Sequence, residues 1–354
     1  MADTGVATSR DSQTVALATE RTFSWRSFFW QWEWILAGVL LAVIAVNTAI
    51  SPFFLNVGTF IRTPATFLDK GFIVFPMMMV IILGKIDISV ASTVALSSVL
   101  MAVSYNAGVP MPLAMVLCLL VGTLCGAING LLLVAFKELS FVIVTLATMI
   151  IYRGIAFIIL GDQASGGLPS WYSELGWGDV LGVPVMVIAF IAVAVAFGFL
   201  LHRTTFGRTV FGIGHNEVAC RYSGVDVDRV TFAVFLLNGL MAAVTALFLT
   251  SRTGSTRPNI AQGYELEVIA MVVLGGVSTS GGTGRIGGPI LAVFIIGFLS
   301  YGMGLANIQA PIVLVVIGSL LILSVLVNRL RLTRGRSTTG KDRPYSVADQ
   351  AEKP

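Results

Sequence analysis

The chain has 354 residues, 56% of them apolar and 11% charged, with 22 Lys and Arg against 18 Asp and Glu for a net charge of +4. A soluble domain carries roughly 25% charged residues, so this composition excludes one and points to an integral membrane protein. The small positive excess is spread along the chain, which excludes a basic nucleic-acid patch.

Met1 to Phe23 is polar, has neither the apolar core nor the cleavage site of a signal peptide, and reads as a disordered cytosolic tail. Ser24 to Trp34 places Trp25, Trp30, Trp32 and Trp34 just ahead of the first apolar run. Amphipathic rings anchor at a membrane interface there. Residues 1–33 are thus expected to be tail and anchor, 34–330 a membrane domain and 331–354 a polar cytosolic tail.

A spanning helix needs roughly 20 mainly apolar residues. Ten candidates follow in order, at 34–50, 71–84, 90–105, 111–135, 141–160, 183–202, 230–250, 264–277, 287–304 and 310–328. Those at 71–84, 90–105 and 264–277 are short, which predicts tilted or broken helices. With the N-terminus inside, seventeen of the 22 Lys and Arg fall in cytoplasmic segments, and only Arg62, Lys70, Arg252 and Arg257 fall outside. The positive-inside rule therefore predicts an all-α protein of about ten spans, N-in and C-in.

Within the spans, polar residues are few. Gly122, Gly126 and Gly130 recur every four residues around Asn129, which lets another helix approach closely while Asn129 bonds across the contact or faces a pathway. Thr145, Thr148 and Tyr152 form one stripe on the fifth span, with Arg153 beside it. An intramembrane arginine faces a bundle interior, a cavity or the interface. Asn238 is a similar candidate. In Gly84 to Ser89, Asp87 and Ser89 are read as caps of the third span, with a proton relay as the alternative reading of the carboxylate.

Gly161 to Pro184 is acidic, aromatic and Gly-rich, suited to an interfacial loop or to docking a soluble extracytoplasmic protein. Thr204 to Arg229 is the long polar segment between apolar runs. Asn216 can cap a short helix there, Glu217 and Arg221 form an i,i+4 pair, and Gly224 suits its end. So short a helix is marginal alone, so it lies at the lipid headgroups or docks a partner. The apolar positions include Val218, Cys220 and Tyr222.

Gly282-Thr-Gly284-Arg-Ile-Gly287 matches a dinucleotide fingerprint, but no acid occurs between Glu267 and Asp342 to bind a ribose, and a tight turn accounts for the glycines. Gly335 to Lys341 has Walker A spacing, yet Asp342 stands where Ser or Thr would hold Mg²⁺. Cys118, Cys125 and Cys220 with His202 and His215 lack metal spacing. No cofactor, metal or disulfide is expected, and no nucleophile or acid–base constellation supports an enzyme. An ion-gradient transporter would require midplane carboxylates, and spans four to seven contain none.

Four blocks in order then resemble permease subunits of bacterial ABC importers for ribose, rhamnose and autoinducer-2: LGKIDIS at 83–89, CGAINGLLLVAFKELSFVIVTLATMIIYRGIA at 125–156, FGRTVFGIGHNEVACRYSGVDVDRV at 206–230 and GYELEVIAMVVLGGVSTSGGTGRIGG at 263–288. The resemblance runs from about Phe54 to Leu330 and departs at Lys85 and Ala91, where relatives commonly have Gly. It implies a cytoplasmic-membrane subunit that pairs with a second permease, two cytosolic ATPase subunits and a periplasmic sugar-binding protein, in contact with membrane lipid. ATP hydrolysis is then expected on another chain. By that similarity, Asn216, Glu217, Val218, Arg221, Tyr222 and Gly224 belong to a coupling helix on the ATPase. Asn129, Thr145, Thr148 and Asn238, with Tyr152 and Arg153 beside them, are expected to line a solute pathway with hydrogen-bonding groups.

Overall fold

The computed structural model describes residues 32–50, 54, 56–309, 311–320, 322 and 326. The expectations for residues 1–31 and 331–354, among them Trp25, Trp30 and the Gly335–Lys341 spacing, lie outside the described residues. Because lipid cannot satisfy backbone polar groups, the apolar runs become helices. In chain order these are α1 (Trp32–Ile50), α2 (Val57–Arg62), α3 (Gly71–Ile82), α4 (Val90–Asn106), α5 (Met111–Ala135) and α6 (Phe141–Leu160). They continue as α7 (Glu174–Trp177), α8 (Val185–Arg203), α9 (Thr205–His215), α10 (Glu217–Tyr222), α11 (Val227–Thr253), α12 (Tyr264–Leu274) and α13 (Gly287–Leu305), then a helical stretch at Pro311–Leu320.

Among the described residues six helices are long and apolar enough to cross a membrane, and a bent pair, Phe60–Thr66 with Gly71–Ile82 at 60°, makes up to seven. The three segments read as short are short for a reason visible in their burial. All of α3 and most of α4 are enclosed by other helices, and in α12 the C-terminal half, Val268 and Ala270 to Val273, is enclosed. A helix surrounded by protein need not present a lipid-facing belt, so α4 tolerates buried Ser92, Thr93, Ser97 and Ser98. Peripheral α1, α5, α6 and α8 instead expose Leu41, Leu120, Ile158 and Phe199 to the membrane side.

The helices packed most closely are α5 and α11. A Cβ at Gly126 would lie 2.4 Å from the Phe235 carbonyl oxygen, and one at Gly239 would lie 2.2 Å from that of Gly122. The four-residue glycine spacing thus serves close helix approach. Trp32 is more than an interfacial anchor, since its Nε1 donates to the Leu274 carbonyl at 2.8 Å.

At one end of the bundle, the 161–184 loop folds over α4 and α11. Tyr172 is buried there with its hydroxyl 2.7 Å from both Leu247 O and Thr250 Oγ1. A hairpin, β1 (Asp179–Val180) and β2 (Val183–Pro184), turns through Leu181 and Gly182, both at positive φ as a tight two-residue hairpin turn requires. At the same end Asp69 accepts from Arg252 at 3.1 Å and Tyr264 at 3.0 Å, and Lys70 pairs with Glu267. This joins the starts of α3 and α12 to the end of α11.

Candidate functional site

At the opposite end, the segment between α8 and α11 forms two consecutive helices. Thr204 caps α9 by accepting from Gly207 N at 3.2 Å, and Asn216 caps α10 by accepting from Ala219 N at 2.9 Å. Gly224 ends α10 at φ +81°, where L side chains are strained. Val218 and Tyr222, one turn apart, are 62% and 89% exposed. They make an apolar ridge on a short helix with no buried residue.

The other side of α10 is held by charge. Glu217 binds Arg221 at 2.9 Å, as the spacing predicts, and also reaches Lys85 at 3.4 Å. Arg221 bonds Asp228 at 2.6 Å, and Asp228 accepts from Lys137 at 2.7 Å. Partial burial works to raise the Glu217 carboxyl, but hydrogen bonds from Arg221 and Lys85 and their charges outweigh it and hold the group below its ordinary value. Hydrogen bonds to Asp228 and then Glu217 push the Arg221 guanidinium up. These residues line a cleft of about 430 Å³ between α10, the turn after α3 and the α5–α6 turn. Lys137 and Asp228 were not singled out from sequence, and Lys85 was noted only as a departure from relatives, because their partners come from other segments.

Deeper in the bundle, four of the proposed pathway residues meet a residue read differently. Asp87 is not a cap at a helix end: it is 2% exposed between α5 and α11, and no side chain caps α4. Its Oδ1 accepts from Ser89 N at 2.9 Å and Ser89 Oγ at 2.7 Å, and its Oδ2 from Asn238 Nδ2 at 2.8 Å. Asn129 Nδ2 donates to Ser89 Oγ at 2.7 Å, and the Tyr152 hydroxyl lies 3.1 Å from Asn129 Oδ1 and from Cys125 O. One continuous chain of donors therefore runs from α6 through α5 and α4 to Asp87, with a second arm from α11. Asn238 Oδ1 is buried and has no hydrogen-bond partner. Thr145 extends the cluster weakly, its hydroxyl 2.9 Å from Phe141 O and 3.4 Å from Ile86 O.

Thr148 is buried nearby but turns its hydroxyl back to Val144 O at 3.1 Å. Arg153 points elsewhere. Its Nη1 donates to Pro258 O at 2.7 Å and Ile260 O at 2.8 Å, which ties α6 to the α11–α12 connection at the far end. Among the described residues no cluster of His, Cys, Asp and Glu could hold a metal.

Residues 59–325 match the family profile described as branched-chain amino acid transport system / permease component. The autoinducer 2 import system permease protein LsrD of Escherichia coli K12 is 35% identical over 309 residues, which covers 86% of this chain and 93% of that protein. The protein of the same name from Shigella flexneri matches to the same extent. No solved structure matches the chain.

Proposed function

We propose, from the premise that this chain belongs to the branched-chain amino acid transport system / permease component family, that it is the permease subunit of an ABC importer for a small hydroxyl-rich solute. It is a multi-pass inner-membrane protein and not itself an enzyme. Rhamnose, ribose-type sugars and autoinducer-2 are the solutes this reading names, the last because of the similar permeases. No observation favours an ion-gradient transporter.

In this reading the chain spans the membrane about ten times with both ends inside, residues 34–330 forming the permease domain and the flanking segments lying in the cytosol. The α10 end is cytoplasmic, and the Asp69–Arg252 end faces the periplasmic binding protein. Hydrolysis takes place on a separate cytosolic ATPase that grips α10, and a second permease copy or paralogue completes the conduit within the lipid. Asn129, Thr145, Thr148, Tyr152 and Asn238 become solute-facing when the bundles separate, with Arg153 towards the outer mouth. Neutral donors and acceptors suit such a step, since a conduit must release what it carries.

The observation that carries the proposal is the projecting ridge of Val218 and Tyr222, exposed on a helix otherwise bound from behind by Lys85 and Asp228. An exposed aromatic on a braced helix is the anatomy of an interface anchor, whose truncation costs about 2 kcal/mol or about thirtyfold in affinity. In the Val218→Ser/Tyr222→Ala variant the permease is expected to insert normally while ATPase co-purification and uptake both collapse. Full co-purification by that variant overturns the docking assignment.

A further inference from the structure

Where the cytoplasmic elements meet, three separated pieces of backbone touch with no side chain between them. Gly214 lies at the end of α9, and a Cβ on it would fall 1.8 Å from the Ile82 carbonyl oxygen and 2.5 Å from Gly282 N. Gly282 N donates to that same Ile82 oxygen at 2.8 Å. A Cβ on Gly281 would fall 2.9 Å from both Gly214 O and Ile82 O and 3.1 Å from Gly84 N. Gly281 and Gly282 also need positive φ, +85° and +77°, but Gly214 does not, so only the close approach demands glycine there. Two glycines of the 278–285 loop thus do more than turn the chain: they let α9 and α3 close on it.

The contact has short connections on both sides. Asn216 is at once the end of α9, donating N–H to Gly212 O at 3.0 Å, and the cap of α10, so no linker separates the helices. From Gly84 it is three residues to Asp87, and the turn between is fixed by Gly84 N to Ile81 O at 2.9 Å and Lys85 N to Val80 O at 3.1 Å. We propose that Gly214, Gly281 and Gly282 form a backbone joint that makes α9–α10, the end of α3 and the 278–285 loop one body, through which displacement of α10 reaches the Asp87 chain. This rests on the docking of α10 assigned above. It names Gly214, two residues before the α10 cap Asn216, as a positioning residue in coupling.

The test uses the full complex with its ATPase and binding protein in lipid vesicles. Spin labels at Ser223→Cys and Ser280→Cys, in a Cys220→Ser background, report the separation of α10 from the glycine loop without nucleotide and after ATP–vanadate trapping. One body predicts the same separation in both states. A change of more than about 2 Å, the scale of a helix shift, overturns the joint whatever any variant does. Gly214→Ala is expected to keep its ATPase and hydrolyse ATP while uptake of autoinducer-2 or rhamnose per ATP falls about tenfold or more, within the range of coupling factors. Gly212→Ala, whose Cβ would meet only Cys220 Sγ at 3.4 Å, should behave as wild type. Normal coupling in Gly214→Ala also overturns the proposal, whereas an intact ATPase complex in Val218→Ser/Tyr222→Ala overturns the docking alone.

Discussion

Replacing Asp87 separates the value of its hydrogen bonds from the value of its charge. In Asp87→Ala, Ser89 N, Ser89 Oγ and Asn238 Nδ2 lose their acceptor together, in a buried site. An orphaned buried donor costs about 1–3 kcal/mol. The serine hydroxyl can rotate to another acceptor, so two orphans remain and the expected loss is about 4 kcal/mol, before any cavity contribution. Asp87→Asn behaves differently. Its Oδ1 keeps both Ser89 donors, and its new amide faces Asn238, whose Oδ1 has no partner and can be turned towards it by a flip. The loss should then stay near about 1 kcal/mol.

Cys118 and Cys125, 0% and 3% exposed, provide the assay in a Cys220→Ser background, because a thiol reagent then reaches a thiol only as the solubilised permease unfolds on heating. At about 1–2 °C per kcal/mol for a chain of this length, Asp87→Ala should melt about 4–8 °C below wild type and Asp87→Asn within about 2 °C. Equal losses in the two variants would show that the charge, not the bond count, holds the cluster, and the reasoning would fail.

The α5–α11 contact makes a second prediction for the same assay: Gly239→Ala must push the helices apart and lose about 1–3 kcal/mol, while Gly154→Ala, mid-helix with nothing within 4 Å of its Cβ, should hold or slightly raise the melting temperature. Acid tests the α10 brace. Because Glu217 is held below its ordinary value of 4.5, its ion pairs contribute fully above that value and are lost as pH falls through the lowered one. Intrinsic-rate-corrected amide exchange across residues 217–223 should therefore be flat between pH 5.5 and 7.5 and rise in stronger acid. The step should be small, since half-exposed pairs are worth about 1 kcal/mol or less, and Glu217→Gln should leave only the later loss of the Asp228 pairs, whose carboxyl is held down to about 2 chiefly by its hydrogen bond from Arg221.

What could be read in the sequence was whatever depends on neighbours along one helix. The α5 glycines, the Asn216 cap, the Glu217–Arg221 pair and the boundaries of α5 and α6 all follow from spacing, and each is in the structure. The depth of Asp87 was not legible, because it depends on α3 ending after 12 residues and on the chain turning back into the bundle before α4 begins. A carboxylate just ahead of a helix start looks like a cap until that return path is known. The clue available was α4 itself, whose serines at 92, 97 and 98 make a poor lipid-facing helix and a good buried one. Arg153 shows the complementary limit, since its partners are the carbonyls of Pro258 and Ile260, and a backbone acceptor has no signature in the residue that carries it.

The same reasoning explains why the glycine loop was half understood. Its spacing announces a turn, and the positive φ at Gly281 and Gly282 agrees, but a turn alone would leave Gly214 free to be alanine. Only the approach of Ile82 makes that substitution costly, and the residues concerned are about 70 and 130 positions away from each other in the chain. Close backbone contact between remote segments is paid for by glycine on both sides, so it should be sought as matched glycines in separate motifs rather than within one. In this chain the matched pair lies between α9, which runs without a linker into α10, and the turn that leads to Asp87, where slack would let the two segments move independently.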